Sequence, residues 1–419
     1  MKKVIVLVFA LVVAAGTTAA ALAKPSSPSS PAAIAAGPSC KAAKIALTGP
    51  FTGPAASAGL DQRNWGRLFI SFWNSGKAIP GVPKGFKRTK LAPPTEADTQ
   101  LNAQLAATVA VQLRSDPAIV AVNGFSGSQE NVAGGPILKR GGVAFVSGSA
   151  TRASLTDPIT LDGRVLKKQD AAGKILAPVY FRRVVPTDKR QGATDAAFVL
   201  KKLGVKSGDQ VMTVDQAEAY SVPLITLITQ TLQKAGVKVD RESQSDTQTD
   251  FTSLANRATA QHAQAVVFAS QVASNAQLFL QQLKSKGYTG KFLGTDGTFD
   301  SSKFTVPGAY ISSFSLDIHD VPIAKPYTAA FEKKYGQTNS FGAPTWVAVQ
   351  MIAMGISNAC ADGKVSRGEV RRDIGRVKIK TSLLGKPIAF DKFGDVVGGV
   401  GFTIFQIGSN GSYNVVQKG

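Results

Sequence analysis

Histidine and cysteine are scarce in this chain of 419 residues, with two of each. His262, His319, Cys40 and Cys360 lie far apart and show no metal-ligand spacing, so no metal site is expected. Phosphate-binding signatures are missing too. There is no P-loop, and no GxGxxG opens a helix after a strand, so no cofactor is expected. Acidic residues are outnumbered, 27 against 48 basic ones, for a net charge of +21. The basic residues come in ones and twos, as in Lys201-Lys202 and Arg371-Arg372, and never form a long tract. With no finger, homeodomain or RNA-binding motif either, nucleic acid is not an expected partner. A diffuse field that attracts anions, or contact with anionic envelope surfaces, suits this charge better. Beyond the first residues, no apolar run approaches the length of a membrane helix.

What is present begins with a targeting segment. Lys2 and Lys3 precede an apolar run over residues 4–15, and Ala21-Leu-Ala23 reads as a cleavage signal. Cleavage after Ala23 is expected, giving an exported protein in the periplasm or on the outer face of the cell membrane. Residues 24–43 are rich in Pro, Ser and Ala and read as a flexible leader. Gly37-Pro-Ser stands before Cys40, well beyond the apolar run, which argues against lipid attachment there. In an oxidising compartment Cys40 and Cys360 would serve as one long-range disulfide or as two buried free thiols.

From Lys44 onward the chain alternates short apolar runs with helical stripes, the pattern of an α/β fold with parallel sheets. Residues 45–47, 119–122 and 143–146 read as buried strands. Asp98 is placed to cap a helix with the stripe Leu101, Leu105, Val109 and Leu113. Residues 156–176 break the rhythm and read as a surface insertion. The pattern restarts with strands over 179–185, 211–214 and 265–268, helices whose stripes end at Gly204 and Gly287, and a long apolar helix over 346–360. Residues 401–407 and 413–416 read as closing strands.

Ligands of open α/β sheets sit at the carboxyl ends of the strands. There the chain carries Gly124-Phe-Ser-Gly-Ser128, Ser147-Gly-Ser-Ala-Thr151 and Gly294-Thr-Asp296-Gly. Ser128, Ser149 and Thr151 offer hydroxyls beside helix N-termini, which attract carboxylates. Asp296 offers the opposite charge, and Tyr220 could stack on or bond a ligand. Each also has a plainer use: helix capping, turn formation, or a half-buried Tyr at a helix start. Ser126 lacks the second glycine of a nucleophile elbow, because Ser128 stands in its place. A hydrolase built on Ser126 and His319 is therefore the weaker rival. The absence of paired catalytic groups favours binding over turnover, and no enzyme activity is expected.

At these residues the chain resembles the extracytoplasmic solute-binding proteins of the leucine/isoleucine/valine-binding type, which serve ABC importers. The likeness lies in Lys44-Ile-Ala-Leu-Thr-Gly-Pro-Phe-Thr-Gly, Val122-Asn-Gly-Phe-Ser-Gly-Ser, Phe181-Arg-Arg-Val-Val-Pro-Thr-Asp-Lys-Arg-Gln-Gly, Gly287-Tyr-Thr-Gly-Lys-Phe-Leu-Gly-Thr-Asp-Gly and Phe390-Asp-Lys-Phe-Gly-Asp. The resemblance implies two doubly wound lobes that close around a ligand. The N-terminal lobe would hold residues 44–184 and 317–388, the C-terminal lobe residues 185–316 and 389–419. It implies ligand contacts at Ser128, Ser149, Ala150, Thr151, Tyr220, Asp296, Gln271 and Ala58. The implied partners are an amino acid-like solute and a membrane permease, with the protein a monomer; a sensing receptor of the same fold is the alternative. The family often has aromatics where this chain has Ala58 and Gln271, which implies a ligand larger or more polar than leucine.

Overall fold

The computed structural model describes residues 39–156, 179–314, 316–398 and 401–419. The expected cleavage site, the expected leader through residue 38 and nearly all of the insertion expected over 156–176 lie outside the described residues. The last leader residues are not flexible coil as expected: Cys40–Ala42 form a 3-10 turn and Ala43 is fully buried.

Two sheets organise the chain. The first holds β1 (Lys44–Gly49), β2 (Thr95–Asp98), β3 (Ile119–Asn123), β4 (Ala144–Ser147) and β5 (Phe181–Arg183). Its order is β2-β1-β3-β4-β5, all parallel. The second holds β6 (Gln210–Asp215), β7 (Lys238–Ser243), β8 (Ala265–Ala269), β9 (Lys291–Gly294) and β10 (Tyr310–Ser313). These run parallel in the same pattern, β7-β6-β8-β9-β10. A short pair, β11 (Ala389–Phe390) and β12 (Val396–Val397), precedes the tail strands β13 (Thr403–Ile407) and β14 (Tyr413–Gln417). The tail strands extend the second sheet antiparallel, so that sheet is parallel except at one edge.

Alternation of side chains across each strand buries both faces of both sheets. In β1, Ile45 and Leu47 join a core with α1 (Ala56–Asn74), while Ala46 faces the opposite core. That opposite core is closed by α2 (Ala103–Ser115) and α3 (Ser128–Arg140). In β8, Val266 and Phe268 turn one way, and Ala265, Val267 and Ala269 the other. Helices α4 (Asp188–Lys201) and α5 (Ser221–Lys234) cover one face of this sheet, α6 (Thr252–Ala260) and α7 (Ala273–Ser285) the other. After α8 (Lys325–Tyr335), the chain returns to the first core through α9 (Gly342–Ala359) and α10 (Arg367–Ile374). Helix α9 is buried around nearly its whole circumference, and its Trp346 meets Trp65 and Phe69 edge to face. Cys40 and Cys360 form a disulfide, tying the start of the fold to the end of α9 across 320 residues.

Three expectations need correction. Asp98 ends β2 and does not cap α2; the cap is Asn102, whose Oδ1 accepts from the Leu105 backbone at 2.9 Å. The strand expected over 179–185 contracts to Phe181–Arg183. Residues 389–397 belong with the first lobe, not the second. Phe390 and Val396 pack on its core, and Asp395 pairs with the buried Arg183 at 2.7 Å.

Candidate functional site

In both sheets the first strand lies between the second and third, so chain connections leave in opposite directions from it. Such a reversal opens a crevice at the carboxyl ends of the strands. The two crevices face one another and form a single cleft. Its empty volume is about 560 Å³, open solvent at the mouth included. The first lobe contributes Ser57 and Ala58 from α1, and Ser126, Ser128, Ser149 and Thr151 from the turns after β3 and β4. The second contributes Tyr220, Gln271 and Asp296 from the turns after β6, β8 and β9. Seven of the eight residues expected to touch ligand thus line one cavity. The eighth, Ala150, does not line it. Its N–H is donated to Ser147 Oγ at 3.0 Å, and its carbonyl accepts from Arg183 Nη1 at 3.0 Å.

Close backbone approach shapes both walls. A Cβ on Gly148 would lie 2.9 Å from the Thr345 backbone of α9, and one on Gly297 would lie 2.2 Å from the Ser270 carbonyl. Only glycine lets these turns reach the cleft. Arg183, with its side chain fully buried, donates through Nη1 to the Arg152 carbonyl at 2.7 Å and so pins the loop that carries Thr151.

A wiring residue escaped the sequence reading. Gln62, from α1, accepts from Ser126 Oγ at 2.7 Å and donates through Nε2 to Ser149 Oγ at 2.9 Å. Ser149 Oγ in turn donates to the Ser126 carbonyl at 2.8 Å, so two serines and a glutamine form one closed network. Ser128 opens α3, whose first backbone N–H groups have no intrahelical acceptor. On the other wall, Tyr220 Oη donates to Asp296 Oδ1 at 2.5 Å, and Gln191 also hydrogen-bonds Asp296. Burial pushes the Asp296 carboxyl up to about 6, against the pull of those two bonds. Leu101, Phe299, Asp300 and Phe341 also line the cleft, and none of them was among the expected ligand contacts. Phe299 and Asp300 follow the Gly-Thr-Asp-Gly turn directly, which was the available signal.

The cleft crosses between lobes at several points. Ser57 Oγ donates to Asp300 Oδ2, Gln271 Nε2 to Gln129 Oε1 at 2.8 Å, and Arg152 to the Ala219 carbonyl. The hydrolase rival finds no support in the geometry. Ser126 is bonded to Gln62, while both ring nitrogens of His319 lie on carboxylates, Asp317 at 2.6 Å and Glu332 at 2.8 Å. Among the described residues, no cluster of three or more His, Cys, Asp or Glu could hold a metal ion, and no helix is long and apolar enough to cross a membrane.

Two doubly wound lobes that meet at a shared cleft define the class of two-lobed binding proteins. The chain belongs to the periplasmic binding protein family, whose pattern it matches over residues 42–412. A curated relative is the leucine-, isoleucine-, valine-, threonine- and alanine-binding protein of Pseudomonas aeruginosa. It is 24% identical over 323 residues, which cover 75% of this chain and 78% of the relative. Among solved structures, a leucine-binding protein from Thermotoga maritima superposes with a TM-score of 0.72 at 22% identity, over 89% of this chain and 97% of its own. The branched-chain amino acid transporter substrate-binding protein of Streptococcus pneumoniae, solved with isoleucine, gives 0.71 at 21% identity, over 90% and 99%. At these identities the structural likeness speaks for the fold.

Proposed function

We propose that this protein is the exported substrate-binding component of an ABC importer, and that it captures an α-amino acid by closing its two lobes. The observation that carries this reading is the division of chemistry across the cleft. The first lobe presents donors: the Ser128 hydroxyl, the free N–H groups that open α3, and the Thr151 hydroxyl, with Ser149 held beside them by Gln62 and the Ser126 carbonyl. The second lobe presents an acceptor, the Asp296 carboxylate with Tyr220 beside it. A carboxylate fits the first set, since a helix N-terminus favours negative charge. An ammonium fits the second. A zwitterion touches both only when the lobes are closed, so its binding energy differs between open and closed forms and shifts the population to the closed one. The closed monomer would then dock on a membrane permease.

The test is calorimetric titration of the purified mature chain with each common L-amino acid, beside mass spectrometry of ligand released on unfolding. Micromolar or tighter binding of at least one α-amino acid is the expected result. Binding only of acids that lack an α-ammonium, or of no amino acid at all, would overturn the reading.

A further inference from the structure

The second-lobe wall carries two carboxylates, Asp296 and Asp300, four residues apart, and they face different neighbours. Asp296 is bonded by Tyr220, at the start of α5. Asp300 reaches the first lobe, where Ser57 in α1 donates to its Oδ2. Its Oδ1 is occupied within its own turn, by the Ser302 backbone N–H at 2.9 Å and Ser302 Oγ at 2.7 Å. Asp300 is only 6% exposed, yet no described lysine or arginine pairs with it, and none lines the cleft. The ionisable groups that feel its charge are another acid, Asp61, and Tyr413. The other walls are small or apolar: Ala55, Ala58, Leu101 and Phe341.

We propose that Asp300, assisted by Ser57, is a specificity residue that accepts a cationic group on the ligand's side chain, so that the preferred solute is a basic amino acid of the ornithine or lysine type. This deepens the amino-acid reading above and rests on it. Closing the lobes over a neutral side chain strips water from a buried carboxylate and leaves its Oδ2 with one hydroxyl for a partner. Desolvating an ion without a counter-ion is costly. An ammonium at the end of an aliphatic stem supplies that counter-ion. The stem itself matches the apolar walls, and Ala55 and Ala58 leave room for its length. The basic exterior opposes the arrival of such a ligand, but its field is screened within a Debye length of about 8 Å at physiological salt.

Norleucine is the probe that isolates the charge, because it is close to lysine with the terminal ammonium removed. Calorimetry on the mature chain should give lysine or ornithine an affinity at least ~10-fold above norleucine and glutamine, the scale of one desolvated ion pair. Asp300→Asn keeps an oxygen for the Ser302 contacts and should collapse that ratio. Equal binding of lysine and norleucine by the wild-type chain, or a preference for glutamine, would sink the proposal and leave the amino-acid reading standing. A wild-type preference that survives Asp300→Asn undiminished would also remove Asp300. Failure of every α-amino acid to bind would remove both readings together. The wild-type comparison needs no variant to fold.

Discussion

At Asp296 the carboxyl is raised to about 6 by burial, which outweighs the hydrogen bonds that favour its ionised form. An α-ammonium stays protonated throughout the range between that value and neutrality. Only the acceptor changes charge there. Affinity for an amino acid should therefore hold above the Asp296 pKa and decline below it, approaching ~10-fold per pH unit. Asp296→Asn should flatten that profile and cost on the order of 2–5 kcal/mol near neutrality, because it removes one half of a buried charge pair. Titrations at matched ionic strength across the window check both effects. A profile unchanged by the substitution would place the ammonium elsewhere. Asp296 was legible in the sequence because a short acid between a strand and a glycine turn advertises itself. Gln62 and Phe341 were not, since one lies inside a helix and the other at the start of one. What brings them to the cleft is the packing of α1 and α9 on the first sheet.

Helices and central strands were readable for a physical reason: they are buried, so their apolar residues recur with a period. The edge strands were not. β2 is Thr-Glu-Ala-Asp, and β7 is Lys-Val-Asp-Arg-Glu-Ser; each pairs on one side only and carries polar side chains toward water. Charged edges also discourage pairing with another chain. Missing β2 is what misplaced the α2 cap. Asp98 accepts from the backbone N–H groups of Phe51 at 2.8 Å, Thr52 at 3.3 Å and Gln100 at 3.0 Å, so it holds the β1–α1 turn against β2. Asn102 does the capping. Asn102→Ala should cost about 1 kcal/mol of folding stability, the usual worth of a cap. Asp98→Ala should cost more and also weaken ligand binding, because Pro50, Pro54 and Ala55 of the turn it anchors line the cleft. Urea unfolding and calorimetry on both variants measure this. Equal losses, with binding intact in Asp98→Ala, would contradict the assignment.

For the whole molecule, the same buried acids set two opposite pH dependences. Burial raises Asp61, Glu130 and Asp188 to about 7 and Asp296 to about 6. In the unfolded chain such groups titrate near ~4. Between the two values the folded protein retains protons that the unfolded chain has released. The stabilising contribution is therefore fully present below the unfolded value and is lost as pH rises through the folded one. Asp61 illustrates the strain of ionisation: Thr338 donates to its Oδ1 at 2.9 Å, while its buried Oδ2 has no partner. The ligand-free protein should thus melt at a higher temperature at ~pH 5.5 than at ~pH 8, until protonation of surface carboxylates leaves its positive charges to repel one another. Ligand acts in the reverse sense. It stabilises by binding only the folded form, so its increment in melting temperature follows its affinity and shrinks as Asp296 takes up a proton. Scanning calorimetry with and without a saturating amino acid should show two curves that converge toward low pH, the lower one rising to meet the upper. Parallel curves would mean that the acid at the cleft does not read the ligand's charge. A ligand-free curve that falls with acidification across the same window would mean that these carboxylates are ionised when folded.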